Sequence, residues 1–187
     1  RILDLGTGTG VLARRFAAQG AVVSGTDISD GQIAAARELA QKNQLKVDFQ
    51  IAPAESSPFA DQSFDVITAN QCWLYFDKTK VNAEVKRLLR PGGVLSVSHF
   101  SWLPRLDAIA RASEKLVLKH NPSWTAADWS GEVPLFPSWA KADFDFRAAF
   151  VFDEAIPYTR ESWLGRFRAC RGVGAALSPE EVAAFDR

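Results

Sequence analysis

Two rhythms of apolar and polar positions alternate through the first hundred residues. Short apolar runs at 2–5, 21–25, 47–51, 64–69 and 94–98 have the length and composition of buried strands. Between them the spacing turns helical. Residues 11–19 put Val11, Leu12, Phe16 and Ala17 on one face and Arg14 and Arg15 on the other, and Gly20 ends the run. A second helix, capped by Ser29 or Asp30, carries Ile33, Ala36, Leu39 and Ala40 through about 41. A third spans 78–89, and the Arg-Pro-Gly-Gly sequence at 90–93 predicts a turn into the last strand. Strand and helix alternating at this pace predict an α/β fold: a three-layer, doubly wound, mostly parallel sheet with helices on both faces.

Beyond Phe100 the pattern loosens. A helix is predicted over 104–118, then an irregular stretch over 120–142 holding Trp124, Trp129 and Trp139 among Pro122, Pro134 and Pro137. So many aromatic side chains predict a packed excursion over one end of the sheet rather than a linker. Phe144, Phe146, Phe150 and Phe152 alternate as in a strand. Residues 159–171 place Trp163, Leu164, Phe167 and Cys170 on one helical face, and Ser178 followed by Pro179 starts a final helix.

Composition narrows the class. The chain has 187 residues, 47% of them hydrophobic and 24% charged, as in one globular domain. Lys plus Arg and Asp plus Glu both number 22, a balance that advertises neither a nucleic acid nor an anionic membrane as partner. No run is long and apolar enough to cross a bilayer. Cys72 and Cys170 stand far apart, without metal-ligand spacing, which fits a reducing, cytoplasmic compartment and no bound metal. The chain lacks methionine, begins within an apolar strand and runs into a helix near Phe185, so it is expected to be a piece of a longer protein, cut at both ends.

The chemistry concentrates at 4–10, Asp-Leu-Gly-Thr-Gly-Thr-Gly, between the first strand and the first helix. Such loops hold dinucleotides when spaced Gly-x-Gly-x-x-Gly, with pyrophosphate on the helix N-terminus. Here the glycines are Gly6, Gly8 and Gly10, and Val11 occupies the third glycine's place. The loop has no Lys or Arg, and Asp4 stands beside it. A carboxylate about 4–5 Å from a pyrophosphate costs on the order of 1 kcal/mol or more. Beside a sulfonium and an ammonium the same carboxylate attracts, and S-adenosylmethionine (SAM) carries both cations and no phosphate. Asp27 ends the second strand about 20 residues beyond Gly6, where a carboxylate accepts hydrogen bonds from two ribose hydroxyls. That position suits either cofactor. Asp4 has a second reading, as a cap on backbone N–H groups of the loop.

Four pieces in order carry a resemblance: residues 4–10, Thr-Asp-Ile-Ser at 26–29, the segment at 53–70, and Leu-Leu-Arg-Pro-Gly-Gly at 88–93. Residues 1–100 resemble a class I SAM-dependent methyltransferase of the methyltransferase-11-like kind. The resemblance implies that residues 1–100 are the SAM-binding core. Residues 101–187 would then be a substrate cover and the C-terminal part of the same domain, inserted after strand five. It also implies that Asp4, Gly6, Thr7, Gly8 and Gly10 line the methionine part of the cofactor, and that Asp27 holds the ribose with Ile28 against the adenine. Relatives usually read Gly-Asp-Ala-Glu before strand four, and Pro53 replaces that Asp here. The Ala54 backbone N–H and the Glu55 carboxylate are then the candidates for the adenine.

Asn70, a further candidate for the cofactor, and Trp73 and Tyr75, candidates for the acceptor, follow the fourth strand at the rim where such folds bind ligands. Trp73 either walls the acceptor pocket or packs beneath the excursion. His99, at the end of the fifth strand, is a candidate base for an acceptor hydroxyl or amine, or a hydrogen-bonded strand-end histidine. Arg160, Arg166, Arg168 and Arg171 read as a solvated face from which Arg168 can reach an acidic acceptor group. The expected activity is methyl transfer from SAM to a small-molecule acceptor. Its rivals are a SAM-binding regulatory subunit and an NAD-dependent oxidoreductase, which shares the loop and Asp27 but not Asp4.

Overall fold

The computed structural model describes residues 1–134 and 136–187. The chain divides into two compact units. The first combines 1–100 with 136–146, and the second combines 101–135 with 147–187.

The first unit is a five-stranded sheet, β1 (Ile2–Leu5), β2 (Val23–Asp27), β3 (Asp48–Ile51), β4 (Phe64–Asn70) and β5 (Leu89–Ser98), every neighbouring pair parallel, in the order β3-β2-β1-β4-β5. The helices α1 (Val11–Ala18), α2 (Asp30–Lys42) and α3 (Lys78–Leu88) connect them. The period-2 alternation of β1 sorts the two faces. Leu3 and Leu5 pack with Phe64, Ile67, Val81, Val85 and Leu88, on the side of α3. Ile2 packs with Ala13, Ile33, Ala36 and Phe49, on the side of α1 and α2. Three layers result, with the sheet in the middle. The chain leaves β1 toward β2 on one side while β4 pairs on the other, so β1 and β4 flank the point where strand order reverses.

Two boundaries differ from the sequence reading. The turn expected at 90–93 lies inside β5, as an irregularity in its pairing: β4 advances from Phe64 to Val66 while β5 advances from Leu89 to Val94. The helix expected at 104 starts at Ala108, because the Asp107 side chain accepts a hydrogen bond from the Ala110 N–H at 2.7 Å and caps it there.

The strand expected over 144–152 does not form. A strand needs a partner for its backbone groups, and the alternating phenylalanines go elsewhere. Within the first unit Phe144 packs on Trp139 and Phe146 meets Phe136 edge-on. In the second unit Phe150 is 86% exposed and Phe152 is also exposed. The aromatic excursion is divided likewise. Trp139 belongs to the first unit, with its ring 4.7 Å from that of Trp73, and Trp124 packs in the second.

The second unit holds α4 (Ala108–His120), α5 (Arg160–Arg168) and α6 (Pro179–Phe185) around Val117, Phe167, Val173 and Phe185. Trp102 stacks on Phe167 at 4.7 Å and donates through Nε1 to the buried Glu114 carboxylate. Ser178 and Glu181 complete a capping box at α6. Arg168 donates through Nε to Asp186 at 3.0–3.3 Å within this unit.

The loop glycines share positive φ and differ in what surrounds them. A Cβ on Gly10 would sit 2.6 Å from the Phe49 ring, whereas one on Gly8 would meet nothing closer than Gln32 at 3.8 Å. Both alanine variants pay the left-handed strain, but only Gly10→Ala also overpacks the core. Gly10→Ala should therefore lose about 1–3 kcal/mol more stability than Gly8→Ala, as read by chemical denaturation of the two variants. Equal losses would refute this account of Gly10.

Candidate functional site

The carboxyl ends of β1, β2 and β4 converge on the glycine loop. Asp27, the last residue of β2, ties it down: Oδ2 accepts from the Gly8 N–H and Oδ1 from the Ser29 N–H, both at 2.9 Å. Each carboxylate oxygen has a second acceptor direction, so two further donors, spaced like vicinal hydroxyls, can be taken without breaking either bond. Ile28 follows with 74% of its surface exposed. Ile51 pairs in register with Asp27 and is also exposed. Two bare aliphatic side chains thus flank a carboxylate, an apolar surface of the kind a flat ring covers. Ile51 is absent from the sequence reading; its signal is its place at the end of the strand beside Asp27.

Asp4 is not at the surface of the loop but beneath it, 2% exposed. The Thr7 hydroxyl donates to its Oδ2 at 2.6 Å and the Thr68 hydroxyl, from β4, to its Oδ1 at 2.7 Å. It also takes a backbone hydrogen bond from Ala13 in the first turn of α1, the capping role that Gly10 has no side chain to fill. Burial raises its pKa above the usual 3.8, against the lowering effect of these bonds. The Asp4 carboxylate and the Thr7 hydroxyl are therefore bonded to each other within the loop, with Asp4 buried beneath it.

The glycines divide the remaining work. A Cβ on Gly6 would fall 2.8 Å from Cys72 and close to Phe76, so this glycine lets the turn after β4 pack under the loop. A Cβ on Gly8 would meet only the Gln32 side chain, at 3.8 Å, so this glycine is not required by packing. The Cys72 thiol donates to the Leu5 carbonyl at 3.1 Å, and burial, aided by the Asp4 charge, pushes its pKa up to about 12. It is a packing residue and not a nucleophile.

Along the rim, Asn70 accepts from the Ser98 hydroxyl at 3.0 Å, joining β4 to β5. Gln71 has φ 64°, a left-handed conformation rare outside glycine, and its side chain donates to the Phe100 carbonyl. This strained residue at the sheet's switch point was not legible from its type. Trp73 is 5% exposed, packed against Trp139 and Phe76. It belongs to the core, and the pocket-wall reading is corrected in favour of the packing one. Tyr75, on the same single-turn helix (Trp73–Tyr75), is half exposed. His99 is exposed immediately after β5. Ala54 is buried in the core cluster, and Glu55 Oε1 accepts from the Asp77 N–H at 3.0 Å, leaving Oε2 for another donor.

Among the described residues no group of three or more His, Cys, Asp or Glu could hold a metal ion, and no helix is long and apolar enough to cross a membrane. The donor set fits SAM: a carboxylate poised for vicinal hydroxyls, an aliphatic surface for a ring, an open glycine, and a buried negative charge behind a loop without phosphate-neutralising cations.

Comparison with known proteins agrees with that chemistry. A ubiquinone biosynthesis O-methyltransferase of Dinoroseobacter shibae is 35% identical over 130 residues, covering 69% of this chain and 52% of the relative. Among solved structures, a protein of Pyrococcus horikoshii superposes with a TM-score of 0.52 at 32% identity, over 56% of this chain and 52% of that one. The 4+2 cyclase SpnF gives a TM-score of 0.50 at 37% identity, over 52% of this chain and 37% of its own. The chain spans about half the length of the curated relative it matches. The methyltransferase-domain family matches residues 3–97. With the glycine loop and the Asp27 carboxylate inside that match and the five-stranded sheet spanning it, this chain belongs to the methyltransferase-domain family.

Proposed function

We propose that this protein is a SAM-dependent methyltransferase acting in the cytoplasm on the hydroxyl of a small, largely apolar molecule. The observation that carries the cofactor is Asp27, held at the end of β2 by two backbone N–H groups with an acceptor direction left on each oxygen. When bound, SAM supplies an electrophilic methyl carbon on a positively charged sulfur. The chain's own residues do the rest. Asp27 accepts the ribose hydroxyls and Ile28 covers one face of the adenine. The Ala54 N–H and Glu55 Oε2 meet the base edge, and Gly6, Gly8 and Gly10 let the backbone approach the methionine part. Asp4 offsets the cationic charge from beneath. Asn70 lies on the cofactor side of the rim, and Tyr75 and His99 border the acceptor's position, which methyl transfer requires to lie about 3 Å from the carbon and in line with the departing sulfur. The hydroxyl acceptor is suggested by the D. shibae relative, named as an O-methyltransferase.

Calorimetric titration of the full-length protein tests the assignment. S-adenosylhomocysteine should bind with Kd in the micromolar range, about −8 kcal/mol, and NAD far more weakly. NAD binding as tight as S-adenosylhomocysteine would overturn it. A second reading, a SAM-binding fold that does not transfer the methyl group, is favoured by the likeness to a protein described as a cyclase. Methylated product formed from SAM and an acceptor excludes that reading.

Asp4 gives a separable expectation. At roughly 6–8 Å and an effective dielectric constant of about 20, a carboxylate attracts a cation by about 2–3 kcal/mol. Asp4→Asn should thus weaken SAM binding by roughly 30- to 100-fold. The ligand-free protein should respond oppositely. A carboxyl with a raised pKa keeps its proton in the folded state where the unfolded chain has lost it, so stability falls as pH rises through that window and stays lower above it. The asparagine variant removes that fall and should be at least as stable as the parent at pH 7. Unfolding curves across pH together with a SAM titration check both halves, and unchanged SAM affinity would remove Asp4 from the cofactor's field.

A further inference from the structure

Residues 53–63, between β3 and β4, carry Ala54 and Glu55 but contain no helix or strand and little bonding of their own. What holds them comes from α3. Arg87 Nη1 donates to the Phe59 carbonyl at 2.8 Å and to Asp61 at 2.7 Å, and Nη2 donates to the Ser57 carbonyl at 3.2 Å. Glu84 fixes the guanidinium by accepting from Nε and Nη2, both at 2.8 Å, and its Oε1 also accepts from the Ser57 N–H at 2.6 Å. Glu84 is 8% exposed and Arg87 half-buried, so the pair is a bidentate, charge-assisted fork anchored on a buried carboxylate. At the other end of α3 the Asp77 N–H donates to Glu55, and the segment's first tie is the Ala52 N–H donating to the Asp27 carbonyl at 3.0 Å. The strip from Ala52 to Ser57 is thus strung between the ribose-side Asp27 and the Arg87–Glu84 fork.

We propose that Arg87 and Glu84 are positioning residues that set the adenine-reading strip of the cofactor site from a distance. The inference rests on the cofactor reading above. Arg87 itself cannot touch the cofactor. Its carbonyl accepts from the Gln62 N–H just before β4 begins, which places it at the amino end of the strands, whereas the site lies at their carboxyl ends. Releasing the fork leaves the Asp27 contact to ribose and the glycine loop untouched, since neither bonds to Arg87, and frees the segment from Ser57 to Asp61, so that Ala54 and Glu55 lose the anchor on that side. The consequence is selective: the base edge is no longer read, while the rest of the ligand is held.

The test uses the full-length protein and two ligands, S-adenosylhomocysteine and S-inosylhomocysteine, which lacks the exocyclic amino group. The parent should prefer the adenine ligand. Arg87→Ala should weaken S-adenosylhomocysteine by roughly 10-fold, leave S-inosylhomocysteine within about twofold, and raise KM for SAM with little change in kcat. Arg87→Lys keeps the charge but not the fork, so it should lose the preference in the same direction, and it serves where the alanine variant does not fold. A parent that binds both ligands alike, or variants that keep the preference or lose both ligands equally, would overturn the positioning role. A parent that binds neither ligand would remove the cofactor reading itself, and this inference with it.

Discussion

Asp27→Ala should weaken binding of S-adenosylhomocysteine by about 2–4 kcal/mol, roughly 30- to 1,000-fold. Two hydrogen bonds to a charged acceptor contribute about 1.5–3 kcal/mol each in gross terms, and water replaces part of them in the variant. A second loss comes from the loop, because the Gly8 N–H gives up its acceptor along with the Ser29 N–H. Asp27→Asn should lose less, since its one carbonyl oxygen still accepts and its amide donates to the hydroxyl that turns to meet it. A ligand analogue without the two ribose hydroxyls separates the two effects. If Asp27 holds the ribose, the alanine variant and the parent should bind that analogue within a few-fold of one another, a double-mutant cycle between protein and ligand. An alanine variant that binds S-adenosylhomocysteine with unchanged affinity would exclude Asp27 from the site.

This site was legible in the sequence to the extent that its parts are local. The glycine loop, the cap at Ser29 and the carboxylate ending β2 each follow from neighbours a few positions away, and the structure places them together. The alternation of β1 even sorts Asp4 onto the face opposite Leu3 and Leu5. Its burial was not legible, because Thr68 closes it off from a strand far along the chain. The same limit hid the fork at Arg87, whose five acceptors span residues 57 to 84. The sequence leaves Trp73 with two readings and hides the partner of Arg168 for a related reason. An aromatic or a guanidinium beside a rim motif looks functional until its long-range partner, Trp139 or Asp186, is known. The alternation of Phe144 to Phe152 is a true period of two, but periodicity describes which faces differ and not whether a neighbouring strand exists.

His99→Ala should lower turnover of a hydroxyl acceptor by about 10²–10⁴-fold while leaving S-adenosylhomocysteine affinity within a few-fold. The residue stands just past Ser98, which pairs with Asn70 at the end of β4, so it borders the rim on the side of the strand-order reversal away from Asp27. That separation is why the cofactor should not register its loss. An alkyl or aryl hydroxyl is a poor nucleophile until its proton leaves, and a positioned imidazole removes that proton as the carbon–oxygen bond forms. Without the imidazole the proton must go to solvent, so the residual rate of the variant should climb with pH as more acceptor ionises. An acceptor presented already ionised should show little difference between variant and parent at any pH. A small, pH-independent loss would make His99 a residue that orients the acceptor without taking its proton. Equal losses of turnover and of cofactor affinity would place it outside the acceptor's surroundings altogether, and the rim between β4 and β5 would cease to be the acceptor's side of the site.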